Sequence, residues 1–154
     1  MKLSVIQGAS MKLSVKVDYG VRVLVDLAQR YGQGSVHSSD IAARQGIPEP
    51  YLDQLLMALR KAGFINSKRG PQGGHILAKA PLEINLGEVI TALEGSTAPE
   101  CVQEPAGCER ATICVQRDVW RAIEEATTKL LQATTIGELV QQQERRLEGA
   151  MFYI

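Results

Sequence analysis

Three cysteines are the residues in this chain whose type and spacing could carry chemistry. Cys101, Cys108 and Cys114 are separated by six and then five residues, in a stretch rich in glycine, proline and polar side chains. Thiolate is a soft, polarisable ligand that suits iron–sulfur clusters, zinc and copper(I). Zinc sites usually draw on close C-x₂₋₄-C pairs and four ligands, and this stretch has neither. A loop that wraps a bulky cluster can hold its ligands farther apart. The spacing therefore favours an iron–sulfur cluster, with zinc, a thiol redox switch and chemically idle cysteines left open. A fourth ligand is missing from the loop. The two histidines are His37 and His75. His75 falls in a predicted hairpin and His37 reads as an ordinary surface residue, so a carboxylate is the remaining choice.

The elements that must position this loop can be read from periodicity. Val17, Val21, Leu24, Val25 and Ala28 recur at helical spacing, and this amphipathic pattern stops before YGQGS. Ser38 or Ser39 is the expected cap of a short helix, SSDIAARQ, that ends at Gly46. Pro48 and Pro50 mark the next helix start, since proline is tolerated in a first turn and not deeper. Leu52, Leu55, Leu56 and Leu59 form its buried stripe, which leaves Asp53, Gln54, Met57, Arg60 and Lys61 facing outward; Gly63 is a plausible C-cap. Two short helices around a tight glycine turn predict a helix-turn-helix. Two extended segments, 64–67 and 75–78, flank the turn-forming RGPQGG and predict a wing with Lys68 and Arg69 at its tip.

Charge agrees with that division. Residues 11–79 hold ten basic and five acidic side chains, whereas 80–154 hold six basic and twelve acidic, so a zero net charge hides a basic front half. Such asymmetry suggests a polyanion-binding module joined to something else. In the second half, Asn85 with Glu88 makes a capping-box pattern opening LGEVITALEG, and an irregular stretch, 96–114, carries the cysteines. Val119, Ile123, Ala126 and Leu130 then recur at helical spacing, with Trp120 and Leu131 widening the stripe. A stripe of that size in a small chain needs a cover, and a two-fold mate is the commonest. Thr135 with Glu138 opens a last helix through Ile136, Leu139 and Val140.

The expected fold is mainly α: a winged helix-turn-helix with a two-stranded wing and a long C-terminal dimerisation helix. MKLSV at 1–5 recurs at 11–15, so 1–10 reads as a vector scar or duplicated start. The expected organisation is then a DNA-binding domain over 11–80, a cluster loop with dimerisation helices over 81–147, and a tail over 148–154. The N-terminus lacks the basic-then-apolar order of a secretory signal and no run is long enough to span a membrane, so a cytoplasmic protein is expected. No phosphate-cradling loop, zinc-protease helix or nucleophile elbow occurs, which argues against an enzyme.

Over 11–147 the chain resembles the Rrf-two family of bacterial winged-helix regulators, whose members are of IscR-like, NsrR-like and RirA-like kinds. The resemblance rests on MKLSVKVDYGVRVLVDLA, on DIAARQGIPEPYLDQLLMALRKAGFINSKRGPQGGHILAK, on INLGEVITALEG and on the three-cysteine loop. It implies a homodimer that binds double-stranded operator DNA, acts as a repressor, and senses iron, redox poise or nitric oxide through a cluster. It places Tyr51, Asp53 and Gln54 in the major groove, with core packing as the alternative for Tyr51. Lys68 and Arg69 fall at the wing tip in the minor groove, and Ser38 and Ser39 where they can meet phosphate. Gln54 suits a bidentate contact to adenine and Asp53 can accept from cytosine N4. It also implies that Cys101, Cys108 and Cys114 hold the cluster. IscR-like members use a histidine three residues after the third cysteine, where this chain has Arg117, which stays protonated and cannot ligate. NsrR-like members use an aspartate early in the first helix of the other subunit, and Asp18 stands at that position, although a first-turn acid also simply suits the helix dipole. The six-residue first gap is closer to RirA-like spacing, which leaves four-iron and two-iron clusters both open. A zinc or thiol-switch regulator of the same fold is the alternative, with an iron–sulfur electron carrier disfavoured by the DNA-binding module.

Overall fold

A computed structural model of the chain describes residues 13–96 and 98–153. The proposed start-site duplication at 1–10 lies outside them. The first helix, α1 (Val15–Gln29), is capped by Ser14, whose side chain accepts the Val17 N–H at 3.2 Å. It buries Val17, Val23, Leu24, Leu27 and Ala28, while Val21 and Val25 of the expected stripe are only half-buried at its flank. Helices α2 (Ser38–Gln45) and α3 (Glu49–Lys61) follow. The cap of α2 differs from expectation. His37 holds the N-cap position without a side-chain cap bond, and Ser38 and Ser39 are the first two residues inside the helix. The backbone carbonyl of His37 opens the ladder by taking the Ile41 N–H at 3.2 Å, so no hydroxyl is required there.

The end of α3 shows why the wing starts where it does. Gly63, with φ +84°, turns the chain left-handed after the C-cap Ala62. The Gly63 N–H then reaches the Arg60 carbonyl and the Phe64 N–H reaches that of Leu59, both at 3.0 Å. This paired closure packs Phe64 against the helix it leaves and aims the chain into a strand. Strands β1 (Ile65–Lys68) and β2 (Gly74–Leu77) pair antiparallel with Ile65 opposite Leu77 and Lys68 opposite Gly74, one residue off the expected segments. Val36, in the α1–α2 connection, bridges His75 through both backbone groups at 2.9 and 2.8 Å. A Cβ at position 74 would lie 2.5 Å from the Val36 carbonyl oxygen, so only glycine lets these backbones approach.

After a 3₁₀ turn (Pro81–Glu83) come α4 (Leu86–Glu94), the short α5 (Glu100–Gln103), a second 3₁₀ turn (Pro105–Gly107), α6 (Val115–Ala133) and α7 (Ile136–Met151). The cysteine stretch is thus partly helical rather than irregular, and α7 absorbs most of the expected tail. α4 and α7 begin at one point: the Leu86 N–H donates to the Thr134 carbonyl at 2.9 Å and the Ile136 N–H to that of Ile84 at 2.8 Å. Asn85 takes the Glu88 N–H, the first half of the expected capping box, whereas at Thr135 the box is complete: Thr135 takes the Glu138 N–H and Glu138 accepts that of Thr135. Helix α7 packs on α1, as does α4, so Ile136, Val89 and Leu93 share one core with Leu24 and Leu52.

One charged residue belongs to that core. Asp26 is 1% exposed. Arg44 clamps its carboxylate with two bonds of 2.9 and 2.8 Å, Gln45 donates at 3.1 Å, and the Arg30 guanidinium lies 3.3 Å away. Burial works against ionisation of Asp26, but the hydrogen bonds from Arg44 and Gln45 and the charges of Arg30 and Arg44 outweigh it. They hold the carboxyl below its ordinary value of 3.8. Asp26→Asn leaves both arginines, each about a third exposed, without their counterion and is expected to cost about 2–3 kcal/mol near pH 7. Because the folded carboxyl is the stronger acid, its stabilisation is complete above the unfolded value and is lost as pH falls through the folded one. Urea melts should therefore show the gap between wild type and Asp26→Asn closing as pH drops well below 4; a constant gap would contradict the ionised pair.

Candidate DNA interface and cysteine loop

The stripe of Leu52, Leu55, Leu56 and Leu59 faces the core, each at 3% exposure or less. Helical geometry then forces Asp53, Gln54, Met57, Arg60 and Lys61 outward, and all five are exposed. Tyr51 sits differently. It is half-buried, with its ring edge-on to Tyr19 at 5.7 Å and 78°, and the Arg22 guanidinium lies over Tyr19 at 5.4 Å. Its ring thus braces the first turn of α3 against α1. Ser39 is exposed and Ser38 half-buried at the start of α2.

Lys68 and Arg69 are exposed at the wing tip, where the Gly73 N–H closes the turn on the Gly70 carbonyl at 2.8 Å. The Ser35 hydroxyl donates to the Gln72 carbonyl at 2.8 Å, so the wing is tied to the α1–α2 connection near its tip as well as at Val36. Behind it, Ser67 Oγ and His75 Nδ1 share a hydrogen bond of 2.8 Å. Burial lowers the pKa of His75, and the Arg60 charge lowers it further against the opposing pull of Asp53, so its neutral form is favoured.

The cysteines sit on the opposite half of the chain. Cys101 lies in α5, Cys108 follows the second 3₁₀ turn, and Cys114 is the N-cap residue of α6. All three are free thiols of intermediate exposure. Cys101 and Cys108 line one hollow of about 370 Å³ with Glu100, Glu104, Gly107 and Glu109, and Cys114 does not. Arg117, which stands where a histidine would ligate, instead grips the loop, donating to the Cys101 carbonyl at 3.1 Å and the Ala111 carbonyl at 3.3 Å. Asp18 is exposed in the first turn of α1 and pairs with Arg22 at 3.2 Å. Among the described residues, no three His, Cys, Asp or Glu side chains gather as a metal-holding group. As donors, three accessible thiols on one loop fit an iron–sulfur cluster. Holding it requires Cys114 to join the other two. The residues that sequence reasoning did not single out are Asp26 and Arg44; it named Arg117 only as a residue unable to ligate, and its grip on the loop was not foreseen.

Among the described residues no helix is long and apolar enough to cross a membrane. A family model described as "Rrf2: Iron-dependent Transcriptional regulator" matches residues 13–142. The IscR transcriptional regulator of Klebsiella pneumoniae is 40% identical over 134 residues, 87% of this chain and 82% of its own. Protein rrf2 of Nitratidesulfovibrio vulgaris is 40% identical over 131 residues, 84% of this chain and 87% of its own. Among solved structures, T. potens IscR superposes with a TM-score of 0.74 at 38% identity, covering 89% of this chain and 91% of that one. CymR, the global cysteine regulator of B. subtilis, gives 0.73 at 34% identity, covering 86% and 98%.

The outward residues of α3 and the wing should separate by what they read. Gln54→Ala is expected to cost about 1–3 kcal/mol on a specific operator and little on random duplex. Arg69→Ala should weaken binding to both and flatten the salt dependence by about one unit. Equal losses for Gln54→Ala on the two duplexes in gel shifts would remove its base-reading role.

Proposed function

The chain belongs to the Rrf2 family of transcriptional regulators, and from that premise we propose a cytoplasmic, iron–sulfur-dependent repressor that grips operator DNA as a homodimer. The observation that carries this reading is the pairing, within one small chain, of a cationic helix-and-wing face with a loop of three free, accessible thiols. Such a chain reads DNA at one end and offers soft ligands at the other. The family is one of regulators rather than enzymes.

The thiols of Cys101, Cys108 and Cys114 would hold the cluster. Bound there, it would supply reversible electron exchange and a dependence on iron supply. Asp18 of the partner subunit is the fourth ligand in this reading. A carboxylate is a harder ligand than thiolate, so this bond would be the labile one. It would also join one protomer's reading head to the other's cysteine loop. Two recognition helices must stand roughly 34 Å apart to meet successive major grooves, so a bond between the two halves bears directly on DNA affinity.

The mate is supported by α6. This 19-residue helix buries no residue within its own chain. Val115, Val119, Ile123 and Leu130 are 80%, 54%, 45% and 67% exposed along it. An apolar stripe left in water is unfavourable by about 25 cal/mol per Å², so a symmetric second copy is its natural cover.

Two measurements follow. Under anaerobic purification, Cys101→Ala, Cys108→Ala and Cys114→Ala should each lose or sharply destabilise the visible absorption of the cluster. Asp18→Ala should keep fold and dimer but shorten cluster lifetime. Mixing Asp18→Ala with Cys108→Ala subunits should restore one site per heterodimer if ligation is between chains. A colourless zinc-loaded protein, or an Asp18→Ala protein with wild-type absorption and DNA affinity, would overturn the corresponding assignment. Separately, Ile123→Glu places a charge in the α6 stripe and should yield monomer or aggregate in sedimentation; an unchanged dimer would place the interface elsewhere.

A further inference from the structure

The chain between the first two thiols is held in two consecutive tight turns. α5 ends at Gln103, and Pro105 opens the 3₁₀ turn that follows it. The Glu104 N–H closes on the Glu100 carbonyl at 2.8 Å and the Cys108 N–H on that of Pro105 at 3.3 Å. Cys101 and Cys108 line one hollow, and Cys114, the N-cap residue of α6, does not line it. No three-ligand group exists among the described residues. In this arrangement the loop is set for chemistry between two thiols rather than among three ligands.

We propose that Cys101 and Cys108 form a reversible intramolecular disulfide in the cluster-free protein, with a neutral peroxide as oxidant. This rests on the reading above only in that the same two thiols would otherwise be ligands. One thiolate attacks a peroxide oxygen; the O–O bond breaks, leaving a sulfenic acid and releasing hydroxide, which takes up a proton as water. The second thiol attacks that sulfur, the S–O bond breaks, and the oxygen leaves as a second water. Two thiols and one peroxide become one disulfide and two waters, with two electrons passing from sulfur to peroxide.

The surroundings favour this outcome over its competitors. The half-exposed thiols are open to a small oxidant. Glu100, Glu104 and Glu109 around the hollow repel anionic thiols of the glutathione kind, which favours intramolecular pairing over a mixed disulfide. The stretch from Cys101 to Cys108 is only eight residues long and held in tight turns, so little chain entropy opposes ring closure. Once formed, the disulfide withdraws two of three thiolates. Metal loading and disulfide formation therefore exclude one another.

The test uses the full chain, freed of metal by chelation, reduced, and then treated with one equivalent of hydrogen peroxide. Intact mass should fall by two hydrogens. Peptide mapping should join Cys101 to Cys108 and leave Cys114 as the alkylated thiol. Cys114→Ala, which cannot complete a three-thiol site, should form the same disulfide at the same rate. Cys101→Ala and Cys108→Ala should stop at sulfenic acid or beyond. The oxidised protein should take up no iron and sulfide until dithiothreitol is added. A disulfide to Cys114, a bond between chains, or independent oxidation of all three thiols would overturn the proposal. The two readings fail separately. Reduced wild type that builds a coloured cluster yet never forms the Cys101–Cys108 bond sinks only the disulfide. A clean disulfide in a protein that never takes up a cluster sinks only the cluster.

Discussion

The buried carboxylate of Asp26 is the interaction on which the DNA-reading face depends. A charge at 1% exposure is tolerable only with partners, and its partners come from the element it must orient. Arg44 and Gln45 close the last turn of α2, and Arg30 follows the last turn of α1. The carboxylate therefore sets the angle at which α2 leaves α1. Since α3 packs on α2, and the wing leaves α3 through the Gly63 closure, that angle passes down the chain. Apolar contacts alone tolerate sliding, whereas a bidentate guanidinium–carboxylate bond has one geometry. The Val36–His75 bridge then returns the wing to the connection between α1 and α2, closing the reading head into a ring of contacts.

The second half is fastened to this head along α1, by two helices that share one joint. α4 and α7 start side by side, linked by backbone bonds between 84–86 and 134–136, and both lie against α1. α6 leaves that joint with its apolar stripe in the open, and the cysteine loop hangs between α4 and α6. α6 packs on α4, and α4 lies on α1, which also carries Asp18, Arg22 and Tyr19. Tyr19 in turn meets Tyr51 at the head of α3. A contiguous set of contacts thus runs from the loop side to the reading side, although contact by itself is not coupling.

Periodicity made most of this legible. The leucines of α3 and the caps Asn85 and Thr135 appear where spacing and side-chain chemistry place them, and the glycines around 70–74 announce the wing. Local rules erred where two options were nearly equal. Two serines ahead of an apolar run look like caps, yet His37 holds the position because its carbonyl suffices. α5, four residues long, is too short for any periodicity to register. Asp26 was silent for another reason. An acid between Leu24 and Leu27 signals a buried partner, but the partner lies 18 residues away and only the fold brings it near. The grouping of Cys101 with Cys108 apart from Cys114 is likewise a property of the loop's fold and not of its spacing.

Arg117 has a consequence for how such a loop can be filled. By gripping the carbonyls of Cys101 and Ala111, it bridges a span of 16 residues. Closing a free segment of that length costs about 2.5 kcal/mol of chain entropy. A side chain that has already drawn the ends together raises the local concentration of one thiol around another. Arg117 is thus a clasp: it holds the loop closed through two backbone carbonyls and leaves all three thiols free.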